Sequence, residues 1–418
     1  LIVAVGTSGS ASASDLEIIT DWWDGQSIPS PLDVAPLDVI DPTHLRVYAR
    51  WQPSTLERGL GLVARWRRLA PAASIATALF VQRWNEQESE ICHLLAHDAG
   101  LTLQDARSIL VECLSAVADP SRAEGVRNAR SITLLRLDAA SALQTFLSNL
   151  EPWLAGYGAL ILCPTPALAR VAVRLAQLLA GFDPHRIAVW SAQAQDLQAL
   201  SLEHPEFHLR QRGLEAPRNA VVHHQGATGG LTQEWVRVGS DVALEEAVDW
   251  VVRRRCQFAG QYPAGAHVVF VEAAQLPAWI EALHWRLAEL VFGDPTLSDT
   301  DVGPVVDKAV IKKTEDQVPR AILKRMGRLV MGARQFRPMG LPGYFFQPTL
   351  LAEVSAESPA VQKPMAGPVL IVNALEQWPS WVQAHSDPTS VMVGSIGLAS
   401  VTDHAPERAF GVHWTRQR

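Results

Sequence analysis

The stretch Ala159–Leu179, ALILCPTPALARVAVRLAQLL, carries the reading of the fold. Ala159–Cys163 is a continuous apolar run of strand length, and Pro164 stops it. Pro166 then stands where a helix tolerates proline, in the first turn, and apolar residues recur at helical spacing to Leu179. A strand apolar on both faces, followed at once by an amphipathic helix, is the repeating unit of a parallel sheet. The alternation continues outward. Ser131–Leu137 reads as a strand, Ala140–Leu154 as a helix and Ile187–Trp190 as a strand. Asp196–Leu200 reads as a short helix, and Phe207–Leu209 and Ala220–His223 as strands. A second alternation places a helix at Leu244–Arg255, a strand at His267–Val271 and a helix at Leu276–Leu290. Arg328–Met331 and Val369–Val372 read as strands, with a turn-rich run at Pro342–Leu350 between them. Upstream, helices are expected from Ser54, over Ala73–Ala99 and over Leu103–Val117, with Gly100 closing the second and Thr102 opening the third. Residues 1 to about 55 are rich in Pro and Asp and read as an extended entry segment; the last forty residues are poorly periodic.

At 418 residues the chain exceeds what one hydrophobic core organises, so several domains are expected. Hydrophobic residues at 48% against 19% charged give ample core, and a net charge of -7 argues against nucleic acid and anionic membrane as partners. The basic runs at Arg253–Arg255 and at Arg65, Arg67 and Arg68 read as solvated helix faces. Cys92, Cys113, Cys163 and Cys256 form no CxxC pair and have no His at metal spacing, which argues against zinc and against a disulfide framework. Reduced thiols in a cytoplasmic protein are expected. No apolar run reaches membrane-span length, and Leu1–Ser14 lacks the basic start of a signal peptide.

Several segments resemble the aldehyde dehydrogenase superfamily. Phe292-Gly293-Asp294-Pro295 with Thr300-Asp301-Val302-Gly303-Pro304-Val305 resembles that family's GDP and TxGP stretch. Gly343–Leu350, GYFFQPTL, resembles its GYFxxPTL, and Gly367-Pro368-Val369 the end of EEIFGPV. Gly260-Gln261, after a helix, resembles the start of GQxC, and Leu154–Pro164, LAGYGALILCP, resembles LAAGNAVVLKP. The ordered set spans residues 20 to 375. The resemblance implies an α/β fold, aldehyde dehydrogenase-like, with two Rossmann-like parallel-sheet lobes and a helical N-terminal region. Residues 1–125 would form the entry segment and helices, 126–230 a degenerate nucleotide-binding lobe, 231–375 a catalytic-like lobe and 376–418 a shortened C-terminal segment.

The departures from the family pattern fall on its chemistry. The nucleophilic Cys of GQxC corresponds to Pro263, so no thiolate is available there to capture an aldehyde. The general base of ELGGK corresponds to Ala227, with Gly229 and Gly230 kept beside it. The oxyanion Asn of PWNFP corresponds to Ala140. Of the residues that hold the cofactor in the family, the ribose-contacting Lys corresponds to Cys163 and the nicotinamide-ribose Glu to Pro364. Phe207–Asn219 leaves no room for the helix whose N-terminus meets the pyrophosphate. The segment between Ala118 and Ile132 and the roughly fifty residues after Gly367 look short for the family's oligomerisation elements.

The resemblance therefore implies a non-catalytic protein of structural, scaffolding or regulatory role. It would bind an active paralogue or a metabolic enzyme; aldehyde dehydrogenase-like domains without catalytic residues occur at the carboxy-termini of some bifunctional proline-utilisation proteins. No cofactor and no metal are expected. The alternative is an NAD(P)-dependent aldehyde dehydrogenase with relocated residues. Cys256, beside three arginines that would lower its pKa, is the substitute nucleophile in that case; against this it reads as a small buried helix residue. His223 and His224 follow one another on a strand, so they point to opposite faces. Glu245 and Glu246 are adjacent on a helix and read as surface charges.

Overall fold

A computed structural model describes residues 16–29, 36–66, 72–117, 132–139, 142–193, 196–197, 207–210, 233–238, 243–262, 266–322, 326–362, 365, 367–377, 391–396 and 413–415. Along the chain come β1 (Glu17–Ile19), β2 (Asp21–Trp23), β3 (Gln26–Ile28), β4 (Leu37–Ile40) and β5 (Val47–Trp51). Four helices follow: Leu56–Trp66, Thr77–Asn85, Glu88–Ala99 and Leu103–Val117. Next are β6 (Ile132–Leu137), β7 (Ala159–Pro164), β8 (Ile187–Val189) and β9 (Phe207–Arg210), with helices Ala142–Ser148, Glu151–Leu154 and Ala169–Ala180 between them. The remainder contains β10 (Gln233–Val238), β11 (Ala266–Val271), β12 (Arg328–Met331), β13 (Gln335–Phe336), β14 (Phe345–Phe346), β15 (Thr349–Ala352), β16 (Val369–Ala374), β17 (Val391–Ile396) and β18 (His413–Thr415). Its longer helices are Leu244–Cys256, Leu276–Ala288 and Lys308–Ile322.

Two sheets organise the chain. The first has the order β3-β2-β8-β7-β6-β9, and β8, β7, β6 and β9 are parallel. Every residue of β7 is buried, as expected for a strand covered on both faces. On one face Leu135, Leu137, Leu160 and Leu162 meet the helices that follow β5 and β7. On the other, Leu134, Ile161, Ala188 and Trp190 meet Leu62, Val63 and Trp66 of helix Leu56–Trp66. The second sheet has the order β12-β15-β16-β11-β10-β17-β18, parallel from β15 to β17. Its core runs from Val236 to Val372 and draws on helices Leu244–Cys256, Leu276–Ala288 and Lys308–Ile322. Among the described residues no helix is long and apolar enough to cross a membrane.

The expected α/β architecture with parallel sheets is present. The differences are local. The entry segment is not merely extended: β2 and β3 add an antiparallel edge to the first sheet, and β1, β5 and β4 make a small sheet of their own. These strands are three to five residues long, too short for a period to show. The expected helix over Ala73–Ala99 is two helices, broken at Glu86 and Gln87, where a polar run offers the turn no apolar face. Gly100 closes the second in the left-handed region, and the Thr102 hydroxyl accepts from the Asp105 N–H at 3.1 Å. The expected helix over Ala140–Leu154 is also two, the second opening with Pro152, which has no N–H to continue the first. Helix Lys308–Ile322 and strand β10 went unread in the sequence. So did β17, which contains a glycine and takes its place beside β10 only by long-range pairing. The expected strand at Ala220–His223 and most of the helix at Asp196–Leu200 lie outside the described residues.

Helix Leu56–Trp66 offers an internal comparison. A Cβ on Gly59 would run into the ring of Trp190, which is fully buried, whereas one on Gly61 would meet nothing within 4 Å. Gly61→Ala is expected to stabilise the protein by roughly 0.5–1 kcal/mol through helix propensity. Gly59→Ala is expected to destabilise it by roughly 1–3 kcal/mol through overpacking. Urea unfolding of the two variants checks this, and equal midpoints would mean that helix and sheet do not pack as described.

Candidate functional site

The motifs shared with the aldehyde dehydrogenase pattern converge where the two lobes meet. Helix Leu244–Cys256 runs into a turn in which Phe258 (φ 50, ψ 47) and Ala259 (φ 50, ψ 34) are left-handed, followed by Gly260 at φ +75. Left-handed backbone costs a side-chain-bearing residue roughly 1–2 kcal/mol. Two features offset this. The Phe258 N–H donates to the Asp105 carboxylate, on the helix of the other lobe, at 2.8 Å. Phe258 and Tyr262 are buried in the first lobe's core, though both come from the second lobe's chain; burying a phenylalanine contributes roughly 1.5–3 kcal/mol.

Gln261 fixes the turn from its other side. Its Nε2 donates to the Phe258 carbonyl at 3.1 Å, and its Oε1 accepts from the Val306 N–H at 3.0 Å. Gly260 lies against the Gly367 carbonyl with no space for a Cβ. The neighbouring motifs are mechanical in the same way. Gly303 abuts the Gly100 carbonyl, and Gly343 abuts the carbonyls of Pro42 and Thr43. Asp294 Oδ1 accepts from the Thr296 N–H, and Thr300 Oγ1 donates to the Asp294 carbonyl at 2.7 Å. Thr349 Oγ1 accepts from the Ala333 N–H and donates to the Gln347 carbonyl. In this chain these motifs make close backbone packing between loops.

Of the positions singled out in the sequence, Ala140, Ala227, Gly229, Gly230, Pro263 and Pro364 lie outside the described residues, as do His223 and His224. Cys256 ends its helix inside the second core, 3% exposed. Burial pushes its thiol up to about 12, despite the opposing field of Arg255. Cys163 is fully buried on β7, and burial likewise pushes its thiol up to about 12. Its Sγ–H points at the Ile161 carbonyl, 3.9 Å away. A neutral, enclosed thiol offers no charge and no accessible donor to a nucleotide ribose, so the position does not fit the cofactor contact of the family. Glu245 and Glu246 are exposed.

One reading of the sequence needs correction. The run Arg253–Arg255 is not a solvated face. Arg253 is exposed and pairs with Asp249, but Arg255 is 3% exposed. It sits one turn after the buried Val251, and its Nη2 donates to the carbonyls of Met365 (2.8 Å) and Gly367 (2.6 Å). The adjacent His267 is buried with Nε2 donating to the Ala360 carbonyl; burial and Arg255 depress it to about 3, so it stays neutral. Asp105 was not singled out in the sequence either. Its signal was its place in the first turn of a Thr-capped helix, but a partner 153 positions away leaves no local trace. No group of three or more His, Cys, Asp or Glu suited to a metal occurs among the described residues.

Comparison with known proteins agrees with this geometry. Residues 226–385 match the model of the aldehyde dehydrogenase family. Lactaldehyde dehydrogenase of Escherichia coli is 28% identical over 160 residues, 38% of this chain and 33% of that protein. Succinate-semialdehyde dehydrogenase (NADP+) 1 of Mycobacterium tuberculosis is 32% identical over 133 residues, 31% of this chain and 27% of that protein. The matches thus span about a third of the length of these curated relatives. In structure the likeness is broader. The crystal structure of E. coli lactaldehyde dehydrogenase superposes with a TM-score of 0.68 at 18% identity, covering 86% of this chain and 82% of that one. Aldehyde dehydrogenase 21 of Physcomitrella patens, solved with succinate, gives 0.71 at 18%, covering 86% and 81%.

The inter-lobe contact carries a pH dependence. Burial raises Asp105 from its ordinary 3.8 to about 7, outweighing the hydrogen bonds from Phe258 and Thr102, and Asp301 adds to the rise. The folded protein therefore holds this proton more tightly than the unfolded chain. The stability it contributes is fully present below about 3.8 and is lost as pH climbs through about 7. Asp105→Asn keeps an oxygen for the Phe258 N–H without the titration. Its melting temperature should vary less between pH 4 and 7 than that of the parent, and parallel profiles in calorimetry would refute the assignment. In the same folded protein Cys256 should resist iodoacetamide at neutral pH until denaturant is added; mass spectrometry of the peptide reads this directly.

Proposed function

We propose that this chain, a member of the aldehyde dehydrogenase superfamily, keeps the fold as a non-catalytic module that binds a partner protein. The observation that carries the reading is Gln261. Its two hydrogen bonds, to Phe258 and Val306, tie the Gly260-Gln261 pair to the turn. The residue two positions on, where the family places its thiolate, is Pro263. Proline has no nucleophile, and no covalent adduct with an aldehyde forms there. Ala227 at the base position has no group to accept a proton, and Ala140 at the oxyanion position has none to donate. Ala227, Pro263 and Pro364 fall within residues 226–385, the segment that matches the family model.

The alternative, an NAD(P)-dependent aldehyde oxidoreductase with relocated residues, requires a new nucleophile. Cys256 is the candidate from the sequence. It is enclosed in the core, and its thiol is pushed up to about 12, so the thiolate needed for attack is scarce at neutral pH. The packing motifs at Gly260, Gln261, Gly303 and Gly343 are kept around it. That pattern fits selection on the fold, with an active paralogue or a metabolic enzyme as the partner.

The test is turnover. The purified chain, given NAD+ or NADP+ with lactaldehyde or succinate semialdehyde, is expected to form NAD(P)H no faster than buffer. Saturable turnover that disappears in Cys256→Ala would overturn the proposal and establish the alternative.

A further inference from the structure

The first sheet ends in one row of residues that crosses four strands. Arg136 of β6 pairs with Cys163 of β7, and Leu162 of β7 pairs with Val189 of β8, so Trp190 follows at the level of Cys163. Trp22 of β2 pairs with Val189 in the antiparallel sense, which sets Asp21 at the level of Trp190. The row lies at the carboxyl end of the parallel strands, the edge at which open α/β sheets take up nucleotides. The aldehyde dehydrogenase family implies NAD(P), which this row would have to accept.

The row is closed from within. Cys163 and Trp190 are fully buried, packed with Ala192 and Leu197 against Leu62, Val63 and Trp66 of helix Leu56–Trp66. The Trp190 ring lies against Gly59 of that helix, and its Nε1 donates to the Thr55 carbonyl at 3.3 Å. A phosphate cradle needs free backbone N–H groups. Here Thr165 N donates to the Leu137 carbonyl, Trp190 N to Leu162 and Ala192 N to Trp190. The Ser191 N–H donates to Asp21 Oδ1 at 2.8 Å, so a carboxyl group of the chain itself already holds it. Asp21 is fully buried, and its Oδ2 accepts from Ser54 Oγ at 2.5 Å and from Arg58 Nη1 at 3.1 Å. Ser54 N donates in turn to the Ser191 carbonyl at 2.9 Å. Strand β2 and the start of helix Leu56–Trp66 are thereby fastened across the edge. Arg136, the basic member of the row, has the Asp138 carboxylate acting on it.

We infer that this lobe does not take up NAD(P), because Asp21 and Trp190 close the edge on which the dinucleotide would lie. Cys163 offers no donor to a ribose, and the carboxyl group on the Ser191 N–H stands where an incoming phosphate would need that N–H for itself. Opening the row would leave Ser54, Arg58 and Ser191 without their shared acceptor and would bring the Trp190 ring into water, and both changes oppose binding. The inference goes beyond the non-catalytic reading. A chain without a nucleophile can still hold a cofactor; this one has filled the cofactor's place with its own entry strand.

Isothermal titration and thermal shift of the whole folded chain with NAD+, NADP+ and NADH at millimolar concentration test it, with hydrogen exchange over residues 159–192 as a separate readout. No saturable heat, no rise in melting temperature and unchanged exchange are expected. Saturable binding of any of the three, or protection of that segment, would overturn the inference. Binding without turnover would remove this inference and leave the non-catalytic reading standing, whereas turnover would remove both. The role of Asp21 has its own measurement. In Asp21→Ala the Ser191 amide should exchange about tenfold faster than in the parent, as a buried N–H deprived of its acceptor does. Ser54→Ala, which removes one donor and keeps the carboxyl group, should shift the exchange in the same direction by less, and it serves where the first variant does not fold. Unchanged exchange at Ser191 would mean that Asp21 does not hold the edge closed, and the inference would fall.

Discussion

The contact between the Asp105 carboxylate and the Phe258 N–H is the point on which the two lobes depend. It spans from the first turn of one lobe's helix to a turn of the other lobe that runs left-handed through two side-chain-bearing residues. Without that acceptor the N–H would be buried and unpaired, a cost of about 1–3 kcal/mol on top of the backbone strain. With it, Phe258 and Tyr262 are delivered into a core built by a different part of the chain. The lobes are stitched by backbone as much as by side chains. Leu103 N donates to the Pro295 carbonyl, Gly303 lies on the Gly100 carbonyl and Tyr344 N reaches the Pro42 carbonyl.

This stitching shows what the recognisable family motifs do for the fold. Glycine at 260, 303 and 343 is required because carbonyl groups occupy the space a Cβ would need. Gln261 is required because it satisfies two backbone groups of different loops. None of these demands refers to a substrate. The motifs are recognisable in the sequence because packing alone demands these residues.

Buried charge in this molecule is met by hydrogen bonds and ion pairs. Arg255 is neutralised by carbonyls of Met365 and Gly367, Asp98 by Arg170, and Asp21 by three donors from three elements. In each case the hydrogen bonds repay part of the desolvation.

The sequence by itself determined the layered architecture, because the apolar run at Ala159–Cys163 is of strand length, is bounded by glycine and proline and is followed at once by an amphipathic helix. It also determined the helix ends at Gly100 and Thr102, where cap chemistry is local, and the loop motifs from Phe292 to Val305 and Gly343 to Leu350. The tertiary structure alone decided the rest. Whether Cys256 is exposed or in the core turned on which face of its helix is covered. Arg255, two residues from an exposed arginine, is buried for the same reason. Strands β2 and β17 exist through partners far away in the chain, Val189 for Trp22 and Val236 for Gly394, and hydrogen bonds of that reach impose no period on the residues that make them.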